Sequence, residues 1–477
     1  MKTIKFGTSG WRGLIAADFT FENVRLASEG IAKYLQEELA NPNSKIYNRK
    51  PLLILGYDTR FLGLNFAIAA MEVLKEYGFQ PLLTNRDAPT PAISYSIRNL
   101  KAIGGINITA SHNPPEYQGL KFSTENGAPA PPEITKIIEE KIVNLINDGK
   151  SFSSSFPTLT DYKTFDPKPA YFKQIKRLID LSIIKKAKLK VAIECMYGTG
   201  RGYLDELLKE AKADVTLFHN ELNPLFGGRH PEPDEAGMAE VSKFVKSGNA
   251  QLGLGMDGDA DRFGIVDSNG KWLSPNQVLV LALYHLKKNR NWSGAVVRSV
   301  PTTHQVDAVA DWLGVKVFET PVGFKYIGAL MESEEIIVGG EESGGLSIKG
   351  HIPEKDGVLA CLLMAELVAT ERKPLTKILK EIEKITGAFY TKRINIKVNP
   401  EIKEQLLQKL GSGIDRIAGT KVEKLMTIDG YKFILSTREW VAFRPSGTEP
   451  LFRCYIEAHS ENRLKQLENA SEKLLKT

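Results

Sequence analysis

Residues 51–85 read PLLILGYDTRFLGLNFAIAAMEVLKEYGFQPLLTN. PLLILGYD (51–58) is a short apolar run of the buried-strand type. FAIAAMEVLKEYG (66–78) follows with helical periodicity and a glycine stop. QPLLTN (80–85) is a second strand and KAIGGINITAS (101–111) a third. Strand, helix, strand, connection and strand in this order predict a largely parallel or mixed sheet covered by helices.

The same plan recurs twice. KLKVAIE, a helix around GRGYLDELLKEAK, DVTLFHN, a helix near AEVSKFVKSG and AQLGLGMDG form a second unit. SGAVVRS, a helix around HQVDAVADWLG, KVFETPV, a helix around FKYIGALMES and EIIVGG form a third. In each unit a late strand runs into an unusual polar loop: TASHNP, DGDADR and GEESGG. The repetition lies in the order of elements, not in residue identity. SFSSSFPTLTDY (151–162), rich in Ser and Pro without a period, reads as an interdomain connection. Beyond TGAFY (386–390) the texture changes. DGYKFIL and EWVAFR form a hairpin, LFRCYIEA a further strand, and the final helix has Leu464, Leu467, Leu474 and Leu475 on one face. That is the pattern of a small α+β domain.

Bulk properties narrow the class. The 477 residues are enough for three or four domains, with 42% hydrophobic and 25% charged residues typical of a soluble protein. The net charge of +6 is spread along the chain, which argues against a nucleic-acid or membrane surface and leaves room for a local anion site. Three scattered cysteines suit a reducing cytosol. The first residues, MKTIKFGTSGWRG, have no signal-like apolar core. The most apolar run, DGVLACLLMAELVA, is too short to span a bilayer and contains Glu366. The expectation is a cytoplasmic protein, either monomer or homodimer.

GMDGDADRFG carries the strongest chemical signal. Asp257, Asp259 and Asp261 alternate in a loop directly after an apolar strand. Three carboxylates aimed at one spot repel unless a cation offsets them, and hard oxygen ligands suit Mg²⁺ or Ca²⁺. An EF-hand is excluded, because Arg262 stands where it needs Gly and Ser268 where it needs Glu. Arg262 is placed to share the charge of a phosphate held there. FRPSGTEP sets Arg444 before Ser446, Gly447 and Thr448, the composition of an anion nest; a plain capped β-turn is the competing reading. In GGEESGGLSI, Glu341, Glu342 and Ser343 among glycines suit sugar hydroxyls, although a solvated turn has the same composition.

Ser111 and His112 invite comparison with a hydrolase. Adjacent residues on an extended chain point to opposite sides, so His112 is expected to face away from Ser111, and no GxSxG elbow surrounds the serine. Ser111 reads better as a covalent phosphate carrier beside the three aspartates, with His112 and Asn113 shaping the loop. Lys121 is a candidate proton-transfer group if nearby cations depress its pKa.

With these four loops in this order, and FGTSGWRG before them, the whole chain resembles the α-D-phosphohexomutases, the phosphoglucomutase and phosphomannomutase family. The resemblance implies three related mixed α/β domains and a smaller C-terminal α+β domain around a central cleft. We place them at 1–160, 161–268, 269–385 and 386–477. It implies Ser111 as the phosphorylated serine, which completes the Mg²⁺ shell of Asp257, Asp259 and Asp261. Arg262, Lys121 and Arg12 are implied beside the transferring phosphoryl group. Glu341 and Ser343 are implied at the sugar, and Arg444, Ser446, Gly447 and Thr448 at the non-reacting phosphate. The implied reaction passes phosphate from Ser111 to a hexose 1-phosphate, giving a hexose 1,6-bisphosphate (glucose 1,6-bisphosphate for glucose). The other phosphate then returns to Ser111, with closure of the last domain about residues 385–395. The sugar loop departs from the SGH common in the dual-specificity branch, with Gly345 in place of the histidine; His351 does not simply inherit its task. TPVGFKYIG, with Lys325 facing the substrate, and EKDG (354–357) resemble glucose-directed members, which favours glucose phosphate with mannose phosphate possible. Other readings are phosphoglucosamine mutase, whose sugar-loop wording fits less well, a Mg²⁺-dependent phosphatase, and a silent sugar-phosphate binder.

Overall fold

The computed structural model describes residues 4–7, 9–445 and 451–476. Three of its four sheets are built alike. Strand Leu52–Tyr57 lies between Gln80–Thr84 and Gly104–Ile108 and is parallel to both. Lys190–Glu194 lies in the same way between Asp214–Phe218 and Leu252–Met256, and Ala295–Ser299 between Val317–Thr320 and Ile336–Gly340. The central strands are apolar on both faces because helices cover both sides of a parallel sheet.

From the third strand of each set the chain passes through a polar loop. It returns antiparallel as Tyr117–Thr124, Phe263–Val266 or Leu346–Ile348. TASHNP, DGDADR and GEESGG are these three connections. They therefore sit at the carboxyl ends of parallel strands, the edge at which open α/β sheets present ligands.

The first sheet gains Trp11–Leu14 at one edge and Lys163–Phe165 at the other. The second gains Trp272–Leu273. These strands of two to four residues show no period in the sequence, and the last two lie beyond the boundaries drawn there at 160 and 268. The fourth sheet has six strands, all antiparallel, with Tyr390–Lys397 at one edge and Arg416–Ile417 at the other. Helix Glu461–Lys476 lays Leu467 and Leu475 on its core.

Helix Gly357–Glu371, the most apolar stretch of the chain, is buried from Gly357 to Leu367. It is apolar all round because it is covered all round, between the second sheet and the third. The second and third domains consequently share one continuous core. Its one acidic residue within that buried run, Glu366, meets Arg290 Nη1 at 3.4 Å and the amide of Asp180 at 3.3 Å.

The connection at 151–162 has no regular structure but is strapped to the first domain. Arg25 Nη1 donates to the carbonyls of Ser153 (2.8 Å) and Ser155 (3.1 Å). Glu72 pairs with Arg25 at 2.7 Å and accepts from the amides of Thr158 (2.7 Å) and Leu159 (3.1 Å). Glu72→Ala removes an acceptor shared by three donors, and we expect a loss of about 1–3 kcal/mol. Limited proteolysis checks this: first cleavage should move into 151–160 in the variant, while the parent chain resists cutting there.

Candidate active site

Ser111 adopts φ +54°, a left-handed conformation uncommon outside glycine and costing on the order of 1–3 kcal/mol. Its loop is held by Arg60 from GYDTR, just after strand Leu52–Tyr57. Nη2 donates to the carbonyls of Ser111 and Asn113 (both 2.6 Å), and Nη1 to those of Pro114 (2.6 Å) and Tyr117 (3.1 Å). Nε pairs with Asp58 Oδ2 at 3.0 Å, both side chains being fully buried. Asp58 Oδ2 also accepts from Thr109 Oγ1 (2.6 Å), which itself accepts from the Ser111 amide (2.9 Å). Burial pushes the Asp58 carboxyl up to about 6, with Arg60 pulling the other way. A guanidinium with five fixed donors thus sets the strained turn that presents the serine.

Ser111 Oγ donates to Asp257 Oδ2 at 2.8 Å. Asp257, Asp259 and Asp261 are buried, with one oxygen of each within 4.8 Å of the others. Lys121 Nζ reaches Asp259 Oδ2 (2.7 Å) and Asp261 Oδ2 (2.8 Å), and Lys355 Nζ reaches Asp261 Oδ2 (3.0 Å). The Thr90 hydroxyl donates to Asp259 Oδ2 and accepts from Asn107 Nδ2 at 2.7 Å. Asn107 and Lys121 are direct partners across antiparallel strands, so both side chains leave the same face. Burial, then Asp259 and Asp261, hold the Asp257 carboxyl well above the usual range. Burial would raise Asp261 too, but Lys121, Lys355 and Arg262 hold it well below that range.

The expectation for Lys121 is corrected here. Burial alone would lower its pKa, yet Asp259 and Asp261 raise it above the ordinary lysine value. The lysine is held charged. Asp259 Oδ1 and Asp261 Oδ1 are buried without a hydrogen-bond partner among the described residues. Orphaned carboxylate oxygens beside a serine hydroxyl form a hard-oxygen donor set that fits Mg²⁺.

His112 also departs from expectation. The loop is not extended at Ser111, so alternation fails and His112 Nδ1 lies 3.4 Å from Ser111 Oγ. Burial, then Arg262 and Arg12, hold the imidazole pKa well below its ordinary value, and the ring is neutral. Arg12, on strand Trp11–Leu14, donates through Nη1 to Asn113 Oδ1 at 2.6 Å; burial and the neighbouring Arg262 lower its pKa. Arg262 pairs with Glu232 at 2.5 Å and donates its amide to Asp257 Oδ1 at 2.9 Å. Two arginines side by side favour a bound anion.

In the GEESGG loop, buried Glu341 accepts from the Gly323 amide at 2.7 Å, and burial pushes its carboxyl up to about 7. Ser343 is half-buried beside it. Lys325 lines a crevice with Tyr34, Phe122 and Glu133 of the first domain; the contact between its segment and the GEESGG loop is made by Gly323. Gly345 has a packing cause: a Cβ there would lie 2.3 Å from Lys355 Cδ. The glycine makes room for the lysine that reaches Asp261. Arg444 lies near the end of strand Trp440–Pro445 and pairs through Nε with Asp429 at 2.9 Å. Ser446, Gly447 and Thr448 lie outside the described residues.

Sequence reasoning passes over Arg60, Asp58, Thr90, Asn107, Glu232 and Lys355 as parts of this site. EKDG stands out in the sequence only as a branch marker. The acidic and basic pair in YDTR is the one signal available for the clamp.

Three sheets with their loops converging on buried carboxylates, a serine and a group of cations define a multidomain α/β phosphoryl-transfer enzyme. Signatures of the phosphoglucomutase/phosphomannomutase family cover the chain: alpha/beta/alpha domain I matches residues 3–147, domain II 169–270, domain III 274–385 and the C-terminal domain 367–473. A phosphoglucomutase/phosphomannomutase of Thermococcus kodakarensis is 30% identical over 470 residues, 98% of each chain. A phosphoglucosamine/phosphogalactosamine mutase of Sulfurisphaera tokodaii is 29% identical over 474 residues, again 98% of each. The crystal structure of a Thermus thermophilus protein described as a phosphomannomutase superposes with TM-score 0.85 at 32% identity, covering both chains completely. The chain belongs to the α-D-phosphohexomutase family, whose members are isomerases acting as metal-dependent intramolecular phosphotransferases.

Arg60→Lys keeps the charge and loses the fork. We expect the isomerisation kcat to fall by about 10–100-fold, because the serine loop loses position, with KM within about threefold. Steady-state kinetics check both parameters.

Proposed function

We propose that the chain interconverts hexose 1-phosphate and hexose 6-phosphate through a phosphorylated Ser111 and a hexose 1,6-bisphosphate. Glucose phosphates are the favoured substrates and mannose phosphates are accepted. The observation that carries the reading is Ser111 Oγ at 2.8 Å from Asp257, inside three buried carboxylates flanked by Lys121, Lys355, Arg12 and Arg262. A binding protein needs neither this nucleophile nor a donor set for a metal.

Asp257, Asp259, Asp261 and a phosphate oxygen on Ser111 would hold Mg²⁺, which supplies charge neutralisation to the transferring group. Arg12 and Arg262 bind the equatorial oxygens of that group, and the charged Lys121 and Lys355 offset the remaining carboxylate charge. The sugar hydroxyl attacks phosphorus as the Ser111 Oγ–P bond breaks. The proton that the hydroxyl gives up ends on Ser111 Oγ, and neutral His112, with Nδ1 3.4 Å from that oxygen, is placed to relay it. Glu341 and Ser343 hold sugar hydroxyls, and Arg444 with Ser446, Gly447 and Thr448 holds the other phosphate. Turning the bisphosphate over in the cleft presents that phosphate to Ser111 for the return transfer. Glucose preference rests on the likeness of the GFK segment and EKDG to glucose-directed members, and on Lys355 filling the space that a side chain at position 345 would need.

Water must be kept out while Ser111 carries phosphate, so the last domain closes about 385–395. Gly387, at φ +85°, ends helix Leu375–Thr386 there and frees the chain direction before strand Tyr390–Lys397. No described helix is long and apolar enough to cross a membrane, and the three cysteines are buried and unpaired. Both agree with a cytoplasmic setting.

The test supplies glucose 1-phosphate, Mg²⁺ and a trace of glucose 1,6-bisphosphate, with mannose 1-phosphate in parallel. Glucose 6-phosphate should form without matching release of inorganic phosphate, and chelation by EDTA should stop it. Ser111→Ala should lower the rate by at least about 10³-fold. Stoichiometric phosphate release would make the protein a phosphatase, and full activity of the variant would end the phosphoserine reading.

A further inference from the structure

The turn between strands Thr420–Met426 and Tyr431–Leu435 of the fourth sheet carries Asp429 at its tip. A carboxylate in such a turn ordinarily caps its own loop. This one divides its oxygens between two domains. Oδ1 pairs with Arg444 Nε at 2.9 Å, and Oδ2 accepts from the Val322 amide at 2.7 Å. Val322 lies in the segment that enters helix Phe324–Ser333 of the third domain. The next amide, of Gly323, donates to Glu341 Oε1 at 2.7 Å. Gly323 has φ +129°, a conformation that residues with a side chain rarely adopt, and two successive amides here serve carboxylates from different domains.

An unbroken chain of contacts therefore runs from Arg444 through Asp429 and the amides of 322 and 323 to Glu341. The side chains of Asp429 and Arg444 are only 21% and 17% exposed, so water competes weakly for the pair. The hairpin is also anchored beside its turn, where Lys432 pairs with Met426 across the strands, and the neighbouring strands of the sheet are anchored as well. Lys432 Nζ donates to the Val300 carbonyl at 2.7 Å and pairs with Glu319 at 3.0 Å; Glu457 accepts from the amide of His304 at 3.1 Å and from Trp440 Nε1 at 2.7 Å. Tyr431 and Lys432 pair with Phe443 and Ala442, so the turn that carries Asp429 adjoins the end of strand Trp440–Pro445 where Arg444 lies.

We propose that Asp429 is a positioning residue for the isomerisation: it aims Arg444 and sets the stance of the carboxy-terminal domain in which Arg444 and Glu341 grip one sugar phosphate together. The proposal rests on the reading of Arg444 and Glu341 as substrate contacts. Both oxygens of Asp429 are engaged by protein groups, Arg444 and the Val322 amide, so it acts on a substrate through them. Its loss therefore weakens substrate binding more than the chemical step, chiefly through Arg444, the side chain it pairs with directly.

The experiment is a double-mutant cycle on the full chain, with glucose 1-phosphate as variable substrate at saturating Mg²⁺ and bisphosphate. Asp429→Ala should raise KM about tenfold with kcat within about threefold. In an Arg444→Ala background the same change should add less than about twofold, because the two residues act as one unit. An unchanged KM in Asp429→Ala, or an equal rise in both backgrounds, overturns the proposal. If Arg444→Ala alone leaves KM unchanged, the substrate reading of Arg444 is wrong and the proposal falls with it. Should Asp429→Ala fail to fold by thermal unfolding, Asp429→Asn takes its place: it keeps an acceptor for Val322, loses the charge facing Arg444, and should raise KM at least about threefold.

Discussion

Three carboxylates, each with an oxygen within 4.8 Å of the others and each shielded from water, are the arrangement on which the rest of this molecule depends. Their mutual repulsion in a poorly polarisable interior has to be met by cations at the same place. The cations come from three separate parts of the chain. Lys121 and Arg12 belong to the first sheet, Arg262 to the second domain's own loop, and Lys355 to the segment entering the long buried helix of the third. Removing one partner of a buried ion pair costs about 3–5 kcal/mol. The aspartate cluster is thus a cross-domain bond as well as a donor set that fits a metal ion, and the same charges that bring three domains together suit the cleft to an anion.

The serine loop meets this cluster from one side, at a fixed cost in backbone strain. Arg60 satisfies four loop carbonyls and leaves the chain little freedom to relax out of the left-handed turn at Ser111. The GEESGG loop meets it from the other side, through Lys355 packed over Gly345. All three loops reach one point because each leaves the carboxyl end of a parallel strand in one of three similarly built sheets. The fold supplies the convergence, and a few polar side chains set it to ångström accuracy.

Much of this is legible in the sequence because it follows from period and composition. Apolar runs, amphipathic helices and glycine stops mark the repeated unit, and the alternating aspartates of DGDADR announce a cation site without reference to a fold. What escapes a sequence reading is of two kinds. Strands of two to four residues, such as Lys163–Phe165 and Trp272–Leu273, are too short to show a period, so sheet edges fall beyond the expected boundaries. Single polar residues on ordinary elements, such as Thr90, Asn107 and Arg60, carry no pattern at all; their importance lies in what they touch 17 to 169 positions away. His112 shows a third cause. The rule that neighbours point apart holds for extended chain, and the serine at φ +54° breaks it.

Everything in the site turns on whether Ser111 carries the phosphate. The most direct measurement is mass spectrometry of the purified chain, first stripped of phosphate and then incubated with glucose 1,6-bisphosphate and Mg²⁺. One added phosphate per chain is predicted, located by peptide mapping at Ser111 and removed again by excess glucose 6-phosphate. Phosphate on another residue, or an active enzyme that never takes one up, would contradict it.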